Sequence, residues 1–205
     1  PKNADLADLG TVMENVYHTK EEMIDCVNAF YEGMVQRSEE MKRHPNYKTG
    51  ENYAYLGLPP CFLIFDEYVA FFEMLGTKES VGLLSQLKKI VMLGRQAGYF
   101  LIVACQRPDA KYFSDGIRDN FNFRVGLGRI SELGYGMLFG SDVKKQFFQK
   151  RIKGRGYCDV GTSVISEFYT PLVPKGHDFL QTIGSLAQAR QDGTATCEAK
   201  GDGTD

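Results

Sequence analysis

The chain has 205 residues, of which 43% are hydrophobic and 24% charged, a composition typical of one globular domain with an apolar core. Its formal net charge of -2 argues against an overall basic nucleic-acid binder, so any contact with DNA must come from a local basic patch. No run approaches the roughly 18 apolar residues that a membrane-spanning helix needs, and the first residues lack the pattern of a signal peptide.

The five cysteines and three histidines show no pattern of a disulfide framework or a metal site. The cysteines are widely spaced and include no C-x-x-C pair, so we expect reduced, buried thiols. Cys61 and Cys105 lie in apolar runs typical of strands. The histidines are scattered without the spacing of metal ligands, which favours solvated or helix-capping roles.

The first predicted helix follows an irregular start. Residues 1–18 are predicted to be a loop that leaves a strand, so that the chain begins inside a domain. Residues 19–22 (T-K-E-E) have the pattern of a capping box, and apolar residues at helical spacing predict a helix from there to about Arg43. Residues 44–58 contain proline, glycine and polar residues, which predicts an exposed loop.

The central element is an apolar run that ends in two carboxylates. After the Pro59-Pro60 pair, residues 62–65 are predicted to form a strand buried on both faces, as in a parallel sheet covered by helices. Asp66 and Glu67 follow it directly. Open α/β sheets bind their ligands at the carboxyl ends of strands, so this pair is a candidate site.

An acidic pair at this point suits phosphoryl transfer. In an ATPase, Asp66 would hold Mg²⁺, which bridges the β- and γ-phosphates, and Glu67 would orient and deprotonate the attacking water. The alternative is that the pair only opens the next helix and complements its dipole. These two residues alone do not decide between the two interpretations.

Residues 68–105, together with the strand before them, are predicted to form a strand–helix–strand unit. Residues 68–75 predict a short helix and residues 80–97 a longer one, separated by a break at 76–79. Gly98 has the position of a left-handed residue that ends a helix. Residues 100–105 predict a second buried strand, and a right-handed unit of this kind places both strand ends at one edge of the sheet.

Gln106 follows the second strand and is therefore expected close to Asp66 and Glu67. Its amide group suits a hydrogen bond to a γ-phosphate or to the attacking water. The alternative is a glutamine that begins a loop and caps backbone groups.

The remaining elements are short. They are predicted to be, in order, a helix over residues 114–121, a strand over 123–127, a helix over 131–139 capped by Ser131, a helix over about 141–148, and a hairpin of residues 156–160 and 163–169 that turns at 161–162. Apolar periodicity is lost from residue 185, which divides the chain into a domain at 1–184 and a flexible polar tail at 185–205.

The order of these motifs resembles the motor domain of the FtsK/SpoIIIE DNA translocases. Residues 62–67 resemble the family's Walker B strand, and residues 93–108 its R-x-A-G segment, strand and Q-R-P sensor. Residues 119–126 resemble the next strand, and residues 154–157 the glycine-rich start of the closing hairpin. Pro1-Lys2 fits the D-P-K segment after the family's second strand, and the resemblance extends over residues 1–170.

The resemblance implies an α/β P-loop NTPase fold of the RecA/HerA-FtsK type, incomplete at its N-terminus: a mainly parallel sheet flanked by helices, with a C-terminal β-hairpin. The cofactors it implies are ATP and Mg²⁺. By position, Asp66 matches the Mg²⁺-associated acid, Glu67 the catalytic base and Gln106 the nucleotide-binding polar sensor.

Several basic residues match family positions or form a candidate patch. Arg95 and Arg124 sit on family arginines, and either would stabilise transition-state charge in cis or on a neighbouring subunit's nucleotide; Arg129 aligns less well. The alternative is a surface or helix-end arginine. A phosphate-contacting or solvated face is expected from the remaining basic residues, which are Lys111, Lys144, Lys145, Lys150, Arg151, Lys153 and Arg155.

One expected motif is absent from these residues. The chain contains no G-x-x-x-x-G-K-[ST] sequence, which is the Walker A loop that cradles the phosphates. In the resembled family this loop precedes the D-P-K strand. We therefore expect the chain to be the distal part of a longer motor, and to hydrolyse no ATP by itself.

The function implied by the resemblance is ATP-driven translocation of double-stranded DNA. Residues 3–7 and 105–109 look most like the FtsK-like coupling proteins of Gram-positive conjugative elements, which implies partners in conjugation or division machinery. A hexamer and a cytoplasmic location, with membrane anchoring through an N-terminal segment outside this sequence, are implied likewise. The alternatives are a protein-secretion ATPase of the same family, a non-catalytic assembly module, and a metal-dependent nuclease, for which further strand-end acids are missing.

Overall fold

The computed structural model describes residues 4–106, 111–113, 115–140, 147, 152–162 and 164–191. Within them the helices are α1 (Ala4–Ala7), α2 (Lys20–Arg43), α3 (Tyr68–Glu73), α4 (Thr77–Ala97), α5 (Asp115–Arg118), α6 (Glu132–Phe139) and α7 (Phe179–Gln191). The strands are β1 (Cys61–Phe65), β2 (Tyr99–Val103), β3 (Arg124–Leu127), β4 (Arg155–Asp159) and β5 (Ile165–Tyr169).

Helix α2 begins where the sequence predicts it to begin. The backbone N–H of Glu22 donates to the hydroxyl of Thr19 at 3.3 Å, and the N–H of Thr19 donates to the carboxylate of Glu22 at 3.2 Å. This reciprocal pair is the predicted capping box, which satisfies donors that a helix start otherwise leaves unpaired. The apolar stripe of α2 buries Val27, Met34 and Met41 in the main core.

Strands β1 and β2 pair in parallel, as predicted for a strand–helix–strand unit. Cys61 lies opposite Tyr99, and Phe65 lies opposite Val103. Helices α3 and α4 connect the two strands along the chain, and the buried residues Leu83, Leu87 and Ile90 of α4 pack in the same core as Leu63 and Phe65. Burial of these apolar side chains stabilises this region.

Burial of β1 on both faces was predicted, and this is wrong for the part of the chain that the structure describes. Leu63 and Phe65 are buried, whereas Phe62 is 55% and Ile64 68% exposed. Successive side chains of a strand point to opposite faces, and α2 and α4 cover only one of them. Cys61 and Cys105, predicted to be buried, are half-buried free thiols.

The connection from α4 into β2 depends on glycine. Gly98 ends the helix in the left-handed conformation with φ 78°, as predicted. A Cβ atom on Gly94 would overlap the carbonyl oxygen of Tyr99, so glycine lets the last turn of α4 approach the strand closely. At the other end, α4 starts at Thr77 rather than residue 80, because the predicted break is its cap: the carboxylate of Glu79 accepts from the N–H of Gly76 at 2.8 Å.

Strands β3, β4 and β5 form a separate antiparallel sheet in that order. The predicted hairpin of β4 and β5 is confirmed, and β3 pairs with β4 so that Val125 lies opposite Cys158. Helix α6 begins at the predicted Ser131 cap and packs its residues Tyr135 and Phe139 on this sheet. Among the described strands, parallel pairing is therefore confined to β1 and β2.

Three further segments differ from the predictions. The predicted loop over residues 1–18 contains α1 and a 3₁₀ turn at Asp8–Thr11, and the loop over 44–58 contains another at Tyr53–Leu56. Helix α7 continues to Gln191, past the predicted end of the ordered domain at residue 184. The helix predicted over 141–148, apart from Phe147, and the tail from residue 192 lie outside the described residues. None of the helices in the described part of the chain is both long enough and apolar enough to cross a membrane.

Candidate functional site

Hydrogen bonds beyond the ends of β1 and β2 bring the predicted site residues together. The N–H of Ala104 donates to the carbonyl of Phe65 at 2.8 Å, and the N–H of Tyr68 donates to the carbonyl of Ala104 at 2.9 Å. The parallel pairing therefore continues past both strands. It places the segment of Asp66 and Glu67 beside the segment that carries Gln106, as expected for carboxyl ends of parallel strands.

Glu67 has an unusual backbone conformation. Its φ and ψ angles of 58° and 60° lie in the left-handed region. Among the described residues other than glycine, only Asn15 also has a positive φ. A left-handed residue other than glycine costs about 1–2 kcal/mol, and such strain is concentrated at functional sites. The strained backbone is held by the flanking hydrogen bonds of Phe65 and Tyr68 to Ala104.

The carboxylate of Glu67 is directed across the strand ends. Its Oε1 accepts a hydrogen bond from the backbone N–H of Gln106 at 3.4 Å. Although Glu67 is the N-cap residue of α3, its side chain makes no capping hydrogen bond to that helix. The alternative that this acid serves only to open the helix therefore has no capping contact in its favour.

Asp66 is half-buried at the end of β1, directly before Glu67. No group of three or more histidine, cysteine or acidic residues with the geometry of a metal site occurs among the described residues. Mg²⁺ is usually bound through one or two carboxylates together with phosphate oxygens, and a protein cage is not required. Asp66, with or without Glu67, is a donor set that fits this mode of binding.

Two neighbours of the acidic pair are kept neutral. Burial, together with the charge of Glu67, raises the pKa of the Cys105 thiol to about 11, so at neutral pH this sulfur is protonated and weakly nucleophilic. Burial also raises the pKa of the Tyr68 phenol, with a smaller contribution from Cys105. Neither group competes with the carboxylates as the charged centre of the site.

Arg95 lies at the opposite edge of the parallel pair. It is exposed in the last turn of α4, just before β2 begins, whereas Gln106 follows the end of β2. Five strand residues, roughly 13 Å of extended chain, separate those edges. The structure therefore does not bring Arg95 to Asp66 and Glu67, and a role on a neighbouring subunit's nucleotide is the part of the prediction that stays open.

Arg124 and Arg129 belong to the antiparallel region. The guanidinium of Arg124 donates from Nε to the carbonyl of Phe121 at 2.8 Å and from Nη1 to that of Leu138 at 3.4 Å, which ties β3 to α6. These bonds give Arg124 a structural role inside the fold, which differs from the surface or helix-end arginine considered as the alternative, and its role at a nucleotide stays a prediction. Arg129 is exposed after β3.

The predicted basic face is only partly described. Lys153 is exposed, and the Nζ atom of Lys111 lies 4.8 Å from the ring centre of Tyr112. Arg155 is only 5% exposed, so its assignment to a solvated or phosphate-contacting face is wrong. Its guanidinium forms an ion pair with Glu167 and donates to the hydroxyl of Tyr157 at 2.7 Å. Lys144, Lys145, Lys150 and Arg151 lie outside the described residues.

Two structurally important residues were not predicted. Arg37 of α2 donates to the carbonyl of Pro59 at 2.8 Å and to the sulfur of Cys61 at 3.4 Å, which fixes the start of β1. Tyr68 is 1% exposed and reaches from α3 to Tyr112. The available signal was the density of aromatic residues after Glu67, but the partners are too distant in sequence to be inferred from it.

Comparisons with known proteins were made for the sequence and for the fold. No protein-family model matches the chain. The chain is 54% identical over 206 residues to the FtsK domain-containing protein YdcQ of Bacillus subtilis (strain 168). This match covers 100% of the chain and 43% of YdcQ, so the chain spans less than half the length of that relative.

Two solved structures resemble the fold. The cytoplasmic domain of the Thermomonospora curvata type VII secretion ATPase EccC matches with a TM-score of 0.58 and 18% identity, over 84% of this chain and 21% of that one. The monomer form of the pCW3 conjugation coupling protein TcpA with ATPγS matches with a TM-score of 0.58 and 18% identity, over 80% and 49% of the two chains. These matches confirm the predicted P-loop NTPase fold.

Proposed function

We propose that this chain, which belongs to the FtsK family, is the part of an ATP-driven motor that carries the catalytic base and the sensor. Glu67 is assigned as the general base, Asp66 as the Mg²⁺-associated acid and Gln106 as the sensor of the γ-phosphate. The cargo that we assign to the motor is double-stranded DNA, moved in conjugation or in chromosome or plasmid transfer.

The observation that carries this proposal is the conformation and orientation of Glu67. Glu67 has a strained left-handed backbone, its carboxylate accepts from the N–H of Gln106, and its side chain makes no capping hydrogen bond to helix α3. A carboxylate that served only the helix dipole would need neither the strain nor the cross-strand contact. The same feature argues against a non-catalytic assembly module, which has no use for a strained acid at this edge.

The chemistry assigned to these residues is positioning and proton transfer. Mg²⁺, when bound together with ATP, would supply charge neutralisation at the phosphates. Asp66 would hold that ion at the end of β1. Glu67 would accept the proton of the attacking water, and the side chain of Gln106 would donate a hydrogen bond at the γ-phosphate.

The choice of cargo rests on the resemblance of the motifs and on one structural relative. TcpA is described as a conjugation coupling protein, and EccC as a secretion ATPase. Because the two have the same TM-score and the same identity to this chain, the fold favours neither. Protein secretion is therefore the second candidate function. We infer a hexameric ring and membrane anchoring outside this segment for the complete motor, on family grounds.

The test is ATP hydrolysis by the complete protein that contains this chain and a Walker A loop, with and without duplex DNA. We expect DNA to stimulate hydrolysis, and Glu67→Gln to lower kcat by about a hundredfold or more, because general base catalysis contributes about 10²–10⁴-fold. Unchanged hydrolysis in Glu67→Gln would remove Glu67 from the mechanism. Stimulation by a secreted protein and not by DNA would favour the second candidate.

The chain of 205 residues by itself gives a second test. It contains no Walker A sequence, and the loop of that motif supplies the backbone N–H groups and the lysine that bind the phosphates. We expect weak ATP binding and no turnover from the isolated chain. A clear ATPase rate, abolished by Glu67→Gln, would show that the phosphates are held in another way.

A further inference from the structure

We propose that Tyr68 is a positioning residue that fixes the sensor Gln106 relative to the base Glu67. This inference rests on the proposed function, because it concerns the geometry of the same hydrolytic site. It assigns a role to a buried aromatic side chain that touches neither nucleotide nor metal in the assignment above.

The first observation is that the backbone of Tyr68 is hydrogen-bonded to the segment that carries Gln106, just after β2. It follows Glu67 directly in the chain, and its N–H donates to the carbonyl of Ala104 at 2.9 Å. Ala104 in turn donates to the carbonyl of Phe65, so that residues on both sides of the acidic pair are bonded to one residue of the segment that follows β2. Gln106 lies two residues after Ala104 in that segment.

The second observation is that the side chain of Tyr68 contacts residues that follow Gln106 in the chain. Its hydroxyl donates to the carbonyl of Tyr112 at 3.4 Å. Its ring lies 4.7 Å, centre to centre, from that of Phe113 and 4.8 Å from that of Phe72. Tyr112 packs against Phe72 with its ring centre 5.5 Å away and is 4% exposed.

Gln106 therefore lies, in sequence, between two residues that are both bonded to Tyr68, although residues 107–110 are outside the described part of the chain. Ala104 precedes Gln106, Tyr112 follows it, and both are bonded to Tyr68. Because Tyr68 directly follows Glu67 in the chain, a residue that is bonded to both sides of the sensor is also covalently attached to the base. Small displacements of catalytic groups are costly, since about 1 Å of misplacement reduces a rate by about a hundredfold. A buried side chain bonded at this place restricts such displacements of Gln106 relative to Glu67.

The chemistry of the contact suits this role. Tyr68 is 1% exposed, and a phenol is a hydrogen-bond donor at neutral pH. A phenylalanine at this position would keep the ring packing and lose only the hydrogen bond to Tyr112. Tyr68→Phe is therefore a selective perturbation of one of the two attachment points.

The chain offers a matched control in its second core. Tyr135 is also 1% exposed, and its hydroxyl donates to the carbonyl of Gly128 at 3.4 Å. Tyr135→Phe removes the same kind of bond, of the same length, from the antiparallel region, together with a hydrogen bond between that hydroxyl and the backbone of Ile130. Tyr135→Phe should therefore lose at least as much stability as Tyr68→Phe, and only Tyr68→Phe should affect catalysis.

The experiment measures kcat, the KM for ATP and the Tm in the complete motor. We expect Tyr68→Phe to lower kcat by about fivefold, the factor that one ordinary hydrogen bond is worth, with KM unchanged and a Tm no lower than that of Tyr135→Phe. In a Gln106→Ala background, Tyr68→Phe should change kcat no further, because the residue that it positions is gone.

Each other result has a defined meaning. Equal kcat values in Tyr68→Phe and Tyr135→Phe overturn the inference, and so does an undiminished effect of Tyr68→Phe in the Gln106→Ala background. Glu67→Gln is measured beside them: if it abolishes hydrolysis while Tyr68→Phe is silent, only the positioning role fails. If Glu67→Gln is itself silent, the proposed function fails first.

Discussion

The parallel and antiparallel regions of this protein use polar side chains in opposite ways. In the region of β1, β2, α2 and α4, the core is apolar and aromatic, and the acidic pair lies at the strand ends. In the region of β3, β4, β5 and α6, the core itself includes the guanidinium of Arg155, which is bonded to Glu167 and Tyr157. The first arrangement leaves carboxylates available to a ligand, and the second engages them within the fold.

The difference shows why charge alone is a poor guide to function. Glu67 follows a strand and Glu167 lies within one, and the first contacts a backbone N–H at the edge of the sheet whereas the second contacts a buried arginine. The core of the second region also contains stacked rings: the ring centres of Tyr135 and Phe147 are 3.9 Å apart, and the two rings are nearly parallel. The hydrogen bond and ion pair with Glu167 raise the pKa of Arg155, whose charge is fixed at all accessible pH values.

The largest effect on stability is expected in the apolar core of the first region. Leu63→Ala should reduce the free energy of unfolding by about 3 kcal/mol, because it deletes buried methyl groups and leaves a cavity. Its neighbour Ile64 is 68% exposed, so Ile64→Ala should cost no more than about 0.5 kcal/mol. Urea unfolding of the two variants gives the comparison.

This pair of substitutions also tests the one-sided burial of β1. Equal losses in Leu63→Ala and Ile64→Ala, measured in the complete protein, would mean that the outer face of β1 is covered there as well. The region would then be a sheet packed on both sides, as the apolar sequence of the strand suggests.

A smaller effect is expected from the ionic core of the second region. Glu167→Ala removes the carboxylate that lies against the buried guanidinium of Arg155, and one partner of a buried ion pair is costly to delete. Glu167 itself is 40% exposed, which reduces the loss. We expect the Tm to fall by about 5 °C.

The neighbouring exposed residue supplies the control for this prediction. Ser166→Ala, on the same strand, should leave the Tm within about 1 °C. If Glu167→Ala is as mild as Ser166→Ala, the Arg155 network contributes nothing to stability. The contrast between an apolar and an ionic core would then be one of composition only.

Local patterns predicted the elements of both regions well, because their causes are local. The capping box at Thr19, the left-handed Gly98 and the turn between β4 and β5 each depend on neighbouring residues. The P-loop fold and the position of the acidic pair after β1 also followed from the order of motifs. Gln106 was predicted to lie close to Glu67, and its backbone N–H donates a hydrogen bond to the carboxylate of Glu67.

Three features of the site and of the two cores that escaped prediction depend on partners in other elements. An apolar run does not reveal which faces of β1 other elements cover. The left-handed conformation of Glu67 depends on hydrogen bonds to Ala104, and the burial of Arg155 depends on Glu167 in the next strand. In each case the deciding interaction joins segments whose separation in sequence is large compared with any local pattern.

The smallest predicted effect concerns the helix caps of the two regions, which differ in one respect. Thr19 of α2 exchanges hydrogen bonds with Glu22, whereas Ser131 of α6 accepts from Gly134, which has no side chain to return the bond. The hydrogen bond from the Thr19 hydroxyl, followed by that from its backbone N–H, lowers the pKa of Glu22 below its usual 4.5. This carboxylate therefore stabilises the fold above pH 4.5, and the contribution is lost as the pH falls through its lowered folded value.

Thr19→Ala and Ser131→Ala should each cost about 1 kcal/mol at pH 7, the usual loss for removal of a cap. On acidification below pH 4.5 the loss in Thr19→Ala should shrink, since protonated Glu22 no longer attracts the hydroxyl, while the loss in Ser131→Ala should stay constant. Urea unfolding at a series of pH values measures both. Parallel pH profiles for the two variants would show that the reciprocal bond to Glu22 adds nothing to the cap, and that the two helices start in energetically equivalent ways.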